Sequence, residues 1–265
     1  MPISAARNLN INHIIEEIVK IPVPKRDLKA TPKFISIRSF DTNKSGQDAE
    51  QLRGGVIGGA LIQGILKLND IIEIRPGIVD QDKTTGKFKC YPLTTKIISL
   101  KAETNDLRYA LPGGLIAIGT TLDPALTKHD RMVGQVIGYP GTLPPIVTQL
   151  QMKFYVLVNR DAEVNTMVNA ELNKIIRCGA EILLTVSGCS VQAQVIESVE
   201  NATGAGDLIT VKTVKPICMF EGSSVAVSSK QVISASKNWR LVGYGIPQNV
   251  TAGEEKIVEK EAPNK

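Results

Sequence analysis

Two histidines, His13 and His129, are all that this 265-residue chain contains. They stand far apart with no H-E-x-x-H or related spacing, which argues against the common histidine-based metal and acid–base sites. The four cysteines, Cys90, Cys178, Cys189 and Cys218, form no C-x-x-C pair. That pattern suggests neither a zinc ribbon nor a disulfide framework, and buried free thiols are the expectation. No stretch approaches the roughly 20 apolar residues that cross a bilayer, and the start shows no basic, apolar, small-residue leader. The expected compartment is the cytoplasm. No Ser/His/Asp, Cys/His or paired-carboxylate set stands out, so neither a catalytic centre nor a metal site is expected.

Phosphate-binding signatures are missing too. The chain has no G-x-x-x-x-G-K-[ST] loop, no Asp-x-x-Gly and no Asn-Lys-x-Asp, the motifs that hold phosphate, magnesium and guanine in nucleotide switches. Gly54-Gly-Val-Ile-Gly-Gly59 is the tempting substitute, but it runs into Ala60-Leu-Ile-Gln-Gly-Ile-Leu66 rather than opening a helix. Glycine within a strand-like run points to a bulge or a close backbone approach. The expectation is therefore a chain with no cofactor of its own.

What is present is an ordinary globular composition, 43% hydrophobic and 22% charged. The length suits two domains of roughly 100 residues. A net charge of +5 and a pI near 8.9 are compatible with contact to phosphate but also describe many proteins that make none.

Along the chain, Leu9, Ile14, Ile15, Ile18 and Val19 recur at helical spacing, which predicts a helix over residues 8–20 capped by Asn8 or Asn10. Pro22 and Pro24 stop it, and the proline-rich, charged segment to Pro32 reads as a surface linker. From Phe34 the pattern changes to short β-branched runs at 34–40, 55–67, 71–74, 94–100, 115–119 and 131–137. Turn signals at 68–70, 75–77, 85–86 and 111–114 separate them, which predicts an antiparallel barrel or sandwich. Tyr139-Pro-Gly-Thr-Leu-Pro-Pro145 punctuates the chain. Strands resume at 147–157, 181–186, 192–199, 208–214, 224–227 and 239–244, a second all-β unit. Residues 159–178 read as a long surface loop and the charged tail as disordered.

Several segments together carry a family resemblance: Ile37-Arg-Ser-Phe-Asp-Thr-Asn43, Arg53 to Gly59, Arg75-Pro-Gly-Ile-Val79, Leu111-Pro-Gly-Gly-Leu-Ile116, Gly119-Thr120 with Asp123-Pro124, Asp130-Arg-Met-Val-Gly-Gln-Val-Ile-Gly138 and Trp239-Arg-Leu-Val-Gly-Tyr-Gly245. The chain resembles the gamma subunit of eukaryotic and archaeal translation initiation factor 2. The resemblance implies an all-β fold of two antiparallel barrels of the translation-factor type, preceded by one helix and a Pro-rich linker. It divides the chain into the end of a GTPase domain with the linker (1–32), barrel domain II (33–142), barrel domain III (143–248) and a tail (249–265). Ser4-Ala5 is similar to the last guanine-contacting segment of such GTPases. The chain would thus be the C-terminal portion of a family member that lacks nearly all of its GTPase domain.

In the family, the heterotrimer of alpha, beta and gamma subunits binds GTP with Mg and delivers methionyl initiator tRNA to the small ribosomal subunit, and domain II helps hold the tRNA acceptor end and the alpha subunit. The implied tRNA contacts are Arg38, Phe40, Asn43, Lys44 and Arg53, with Asn105, Arg108 and Tyr109 before the Pro-Gly-Gly turn. Asp41, Lys44, Gln47 and Asp48 are candidates for subunit binding. Each has a plain alternative: Phe40 as a core or bulge residue, and Arg38 and Arg53 paired with Asp41 and Glu50. Trp239 reads as core, with Arg240 on the opposite face of the strand. Lys212, Lys215, Lys230 and Lys237 suit either a face toward ribosomal RNA or a solvated one. Ser228-Ser229-Lys230 departs from the more basic pair common in the family. An enzyme with its site between the barrels, or a barrel module that meets ribosome or translation factors without touching tRNA, are the competing readings.

Overall fold

A computed structural model describes residues 2–82, 84, 86–157, 177–199, 207–220, 222–230, 239–249 and 258–259. Two closed antiparallel barrels of six strands each follow one another along the chain. The first comprises β1 (Lys33–Phe40), β2 (Val56–Gln63), β3 (Ile71–Gln81), β4 (Phe88–Ala102), β5 (Leu115–Thr120) and β6 (Val136–Gly138). They run β4-β3-β6-β1-β2-β5, and β5 returns to β4 through Ile97↔Thr120 to Lys101↔Ala117. Closure leaves no free sheet edge among these strands. The second comprises β7 (Val147–Val156), β8 (Glu181–Val186), β9 (Cys189–Val199), β10 (Asp207–Ile217), β11 (Val225–Ser229) and β12 (Arg240–Asn249), closed in the order β7-β10-β9-β8-β11-β12.

Alternation fills both interiors. On β7, Leu150, Met152 and Phe154 point into the barrel while Gln151, Lys153 and Tyr155 point out, the period of two that a pleated strand imposes. Phe34, Ile57, Ile72, Ile74, Ile97 and Ile118 fill the first barrel. Gly59 lies where β2 runs against β1 with no room for a side chain. A Cβ there would run into the Ile35 carbonyl and the Phe34 ring, so the glycine run serves strand packing, as its strand-like context suggested.

Several elements are drawn differently from their sequence pattern. The helix, α1, spans Ile11–Lys20, and Asn10 at its N-cap has a left-handed backbone (φ 58°) with no capping bond from its side chain; its Nδ2 donates to the Pro2 carbonyl instead. Gly64, at φ 75°, turns the chain so that β2 ends at Gln63 rather than continuing to Lys67. Arg75-Pro-Gly77 is not a turn but an irregularity inside β3, where the register with β4 shifts between Ile74 and Ile78. The apolar run 131–137 contributes only its end, β6. Before it, Pro124–Thr127 forms a short helix, α2, followed by a single tight turn at 128–130. Cys90 and Cys218 are buried, but Cys189 is half-buried and Cys178 exposed. The expected long loop falls almost wholly, and the tail apart from 258–259, outside the described residues.

The barrels meet through a small apolar cluster of Val136, Leu143, Cys218 and Phe220, with Ile35 against it. Around it the Gln135 amide grips the backbone of Gly77: Nε2 donates to the carbonyl at 3.1 Å, and Oε1 accepts the amide at 2.8 Å. Glu73, nearly buried, takes Arg75 Nε at 2.6 Å and the Gly141 amide at 2.9 Å, and paired donors of this kind are what a buried carboxylate requires. Gly134, at φ 79°, sits so close to Cys189 of the second barrel that a Cβ would collide with it.

Candidate nucleic-acid interface

β1 ends where the 41–53 loop begins, and one side chain organises that loop. Asn43 Nδ2 donates to the Asp41 carboxylate and the Arg53 carbonyl, and Asn43 Oδ1 accepts the Arg53 amide, each at 2.7 Å. Inside the loop, Gln47 Oε1 accepts the Lys44 amide and its Nε2 donates to the Gln51 carbonyl. The loop is thereby clipped at its neck and braced within, leaving Lys44, Asp48 and Arg53 as exposed side chains.

The end of β1 is held from the other side by the 123–132 segment. Asp123 caps α2 by accepting the Ala125 amide at 2.8 Å, and Pro124 fits the first helical position. Thr127 Oγ1 donates to the Phe40 carbonyl, and Gly55 leaves the space that Thr127 fills. Asp130 Oδ1 accepts the Ser39 amide at 2.9 Å and Arg38 Nε at 3.0 Å. The Ser39 N–H and then the Arg38 guanidinium hold the Asp130 carboxyl below its ordinary pKa. Hydrogen bonds to the charged form favour ionisation.

Arg38 therefore pairs with Asp130, not Asp41, although its side chain remains 70% exposed. Among the described residues the Arg53 guanidinium has no hydrogen-bond or ion-pair partner; its backbone carries the clip. Phe40 is 39% exposed, so it is not a core residue and its ring is available. Lys128, His129 and Arg131 share this end and are exposed. The sequence offers Arg131 only within the Asp130 to Gly138 motif and His129 only as a histidine without metal or acid–base spacing; Lys128 carries no motif of its own.

Asn105, Arg108 and Tyr109 lie elsewhere. Asn105 pairs back to Ala102, and Tyr109 faces Lys67 in a two-residue ribbon. Register places them near the far end of β2: Val56, beside the loop, pairs with Gly119, whereas Ala60 pairs with Leu115. A strand of this length covers roughly 25 Å, so the two candidate groups occupy opposite ends of the barrel. Tyr109 is 56% exposed, and nearby the exposed Ile62 and Leu115 line one shallow surface depression.

Ser4 pairs with Leu9 in a tight loop ahead of α1, and Ile15, Ile18 and Val19 of that helix are exposed. On the second barrel, Trp239 is half-buried beneath Lys230, whose Nζ lies 4.6 Å from the ring centre, and is therefore not core. Arg240 is exposed at the start of its strand, although register pairs it with the buried Ser229. Among the described residues no cluster of three or more metal-ligating side chains occurs, and no helix is long and apolar enough to cross a membrane.

Residues 148–247 match the family described as "Initiation factor eIF2 gamma, C terminal". The chain is 41% identical over 92% of its length to the eukaryotic translation initiation factor 2 subunit gamma of Schizosaccharomyces pombe, covering 52% of that protein. It is 44% identical, again over 92% of its length, to the translation initiation factor 2 subunit gamma of Methanocaldococcus jannaschii, covering 56%. It thus spans about half the length of these curated relatives. In fold it is similar to crystal structures of translation elongation factor SelB from Methanococcus maripaludis, both the apo form (TM-score 0.66) and the complex with the GTP analogue GppNHp (TM-score 0.67). Each has 15% identity and covers 96% of this chain and 51% of SelB.

Proposed function

The chain belongs to the gamma-subunit family of translation initiation factor 2, whose C-terminal portion it matches, and we propose that it supplies that factor's tRNA- and subunit-binding barrels without catalysing a reaction. In the intact protein, GTP and Mg would sit on the GTPase portion, and the heterotrimer with alpha and beta subunits would carry methionyl initiator tRNA to the small ribosomal subunit in the cytoplasm. The observation that carries this reading is the braced end of the first barrel. There Phe40, Lys44 and Arg53 stand free on a backbone fixed by Asn43 and Asp130. Lysine and arginine suit phosphate by charge, and an exposed ring suits a sugar or base.

The hydrogen bonds support a division of labour among the candidates. Asn43 and Gln47 shape the loop, Arg38 is tethered to Asp130, and Asp41 is engaged by Asn43. Asp48, with Lys44, is left as the charged contact for the alpha subunit. Ser4 and Ala5 would belong to the guanine-contacting segment of the GTPase portion.

A second reading, a barrel module that meets ribosome or translation factors without touching tRNA, draws support from the exposed Ile62 and Leu115, which line one surface depression, since exposed apolar patches mark protein contacts. Calorimetry with purified alpha subunit, and with GTP as a separate titrant, tests the assignment. Tight alpha binding with no GTP heat is expected, and absence of alpha binding by a folded chain would undo it. In the reconstituted trimer, alanine at Arg38, Lys44 and Arg53 should weaken initiator tRNA binding; unchanged affinity would favour the second reading.

A further inference from the structure

Between the two barrels lies a cavity of about 120 Å³ that none of the proposed tRNA or subunit contacts touches. Val79 of β3 and Val133, just ahead of β6, line it from the first barrel. Cys189 and Val191 of β9, with Lys215 and Ile217 of β10, line it from the second. Protein interiors rarely leave voids much larger than a water molecule. Here each barrel closes around its own core, so side chains interdigitate within a barrel, while two convex outer walls meet over a limited area. That area holds the small cluster around Val136 and Phe220 and the contact of Gly134 with Cys189.

The chemistry of the lining is one-sided. Apart from two cysteines, Lys215 is its one ionisable group, and no carboxylate lines it. Its other polar side chain, Gln135, has its amide committed to the Gly77 backbone. Lys215 and Val79 are exposed, which sets the mouth on their side. An apolar body therefore finds aliphatic walls, and a negative charge at its end finds a cation. A positive charge finds no counter-ion and is repelled by the ammonium. An apolar cavity of roughly 150 Å³ holds one benzene ring, so the space here limits the body to a single ring or a short branched chain.

We propose that this junction binds small monocarboxylic acids of that size, with the carboxylate against Lys215 and the apolar body between Val133 and Val191. A free amino acid is the wrong class, because its ammonium has no partner in the lining. The walls belong to both barrels, so the ligand favours the arrangement in which they are apposed over any in which they part. The tRNA contacts proposed above use none of these residues, and the two proposals fail separately.

Cys189, half-buried in the wall, reports on occupancy, and the exposed Cys178, which is not part of the lining, is the internal control. Alkylation by iodoacetamide is followed at each cysteine by peptide mass spectrometry, with and without millimolar benzoate. Benzoate should slow Cys189 several-fold and leave Cys178 at its usual rate. Benzylamine, the same ring with a positive charge, should protect neither. Lys215→Met, a change at an exposed position, should lose most of the benzoate effect, and Val133→Phe, which fills the cavity, should lose all of it. Lys215→Met decides the matter if Val133→Phe does not fold. An unchanged Cys189 rate in benzoate would overturn the proposal. So would equal protection by benzylamine, full protection in Lys215→Met, or equal slowing of both cysteines.

Discussion

Asn43 and Arg53 are joined by a reciprocal pair of hydrogen bonds, side-chain amide to carbonyl and backbone amide to side-chain oxygen, both 2.7 Å long. The pair turns a polar loop into a fixed platform. It also separates two residues that the sequence places in one candidate group: Asn43 shapes the loop, and among the described residues the Arg53 side chain is not engaged in that clip.

Asn43→Ala should raise amide hydrogen exchange across 44–53 and cost about 1–3 kcal/mol of local stability, because the Arg53 amide and carbonyl both lose their partner. Arg53→Ala should leave that protection intact, since only the Arg53 backbone is engaged. Exchange measured on both variants separates platform from contact.

Asp130 predicts a pH dependence. Its folded pKa is depressed by Ser39 and Arg38, so its contribution is fully present above the unfolded value of about 3.9 and is lost as pH falls through the folded value. The difference in urea midpoint between the parent chain and Asp130→Asn should be constant near neutrality and shrink below about pH 4. A difference that grew on acidification would contradict the assigned bonds.

Gln135→Ala should loosen the junction between the barrels. The Gly77 amide would lose its acceptor in a buried setting, a cost of about 1–3 kcal/mol, and faster exchange at Gly77 is the readout. Gly134→Ala should disturb the same junction by two routes: the left-handed backbone at φ 79° and the contact with Cys189.

In the first barrel, Ile118→Ala removes a fully buried side chain and should cost about 2–5 kcal/mol. Ile98→Ala, two positions from Ile118's partner Leu100 on the neighbouring strand and 49% exposed, should change the denaturation midpoint little.

Much of this protein was legible in the order of its residues. Short β-branched runs with period two, broken by glycine and proline turns, determine two all-β units, because each strand must bury one face and the chain is too long for a single core. The glycine run at 54–59 announced a close strand approach, since only a missing Cβ allows it. The family resemblance rested on residues such as Asp130, Gly134 and Gln135, and the structure gives the physical reason they matter at those positions: they tie β1, β3 and the second barrel together. Tertiary structure alone decided the rest. Arg38 meets an aspartate 92 residues away rather than the nearer Asp41, because barrel closure sets which segments are neighbours. Asn105, Arg108 and Tyr109 were separated from the other candidates by strand register. Sequence spacing specifies which face of a strand a residue takes, but which strand lies beside it depends on the path by which each sheet closes.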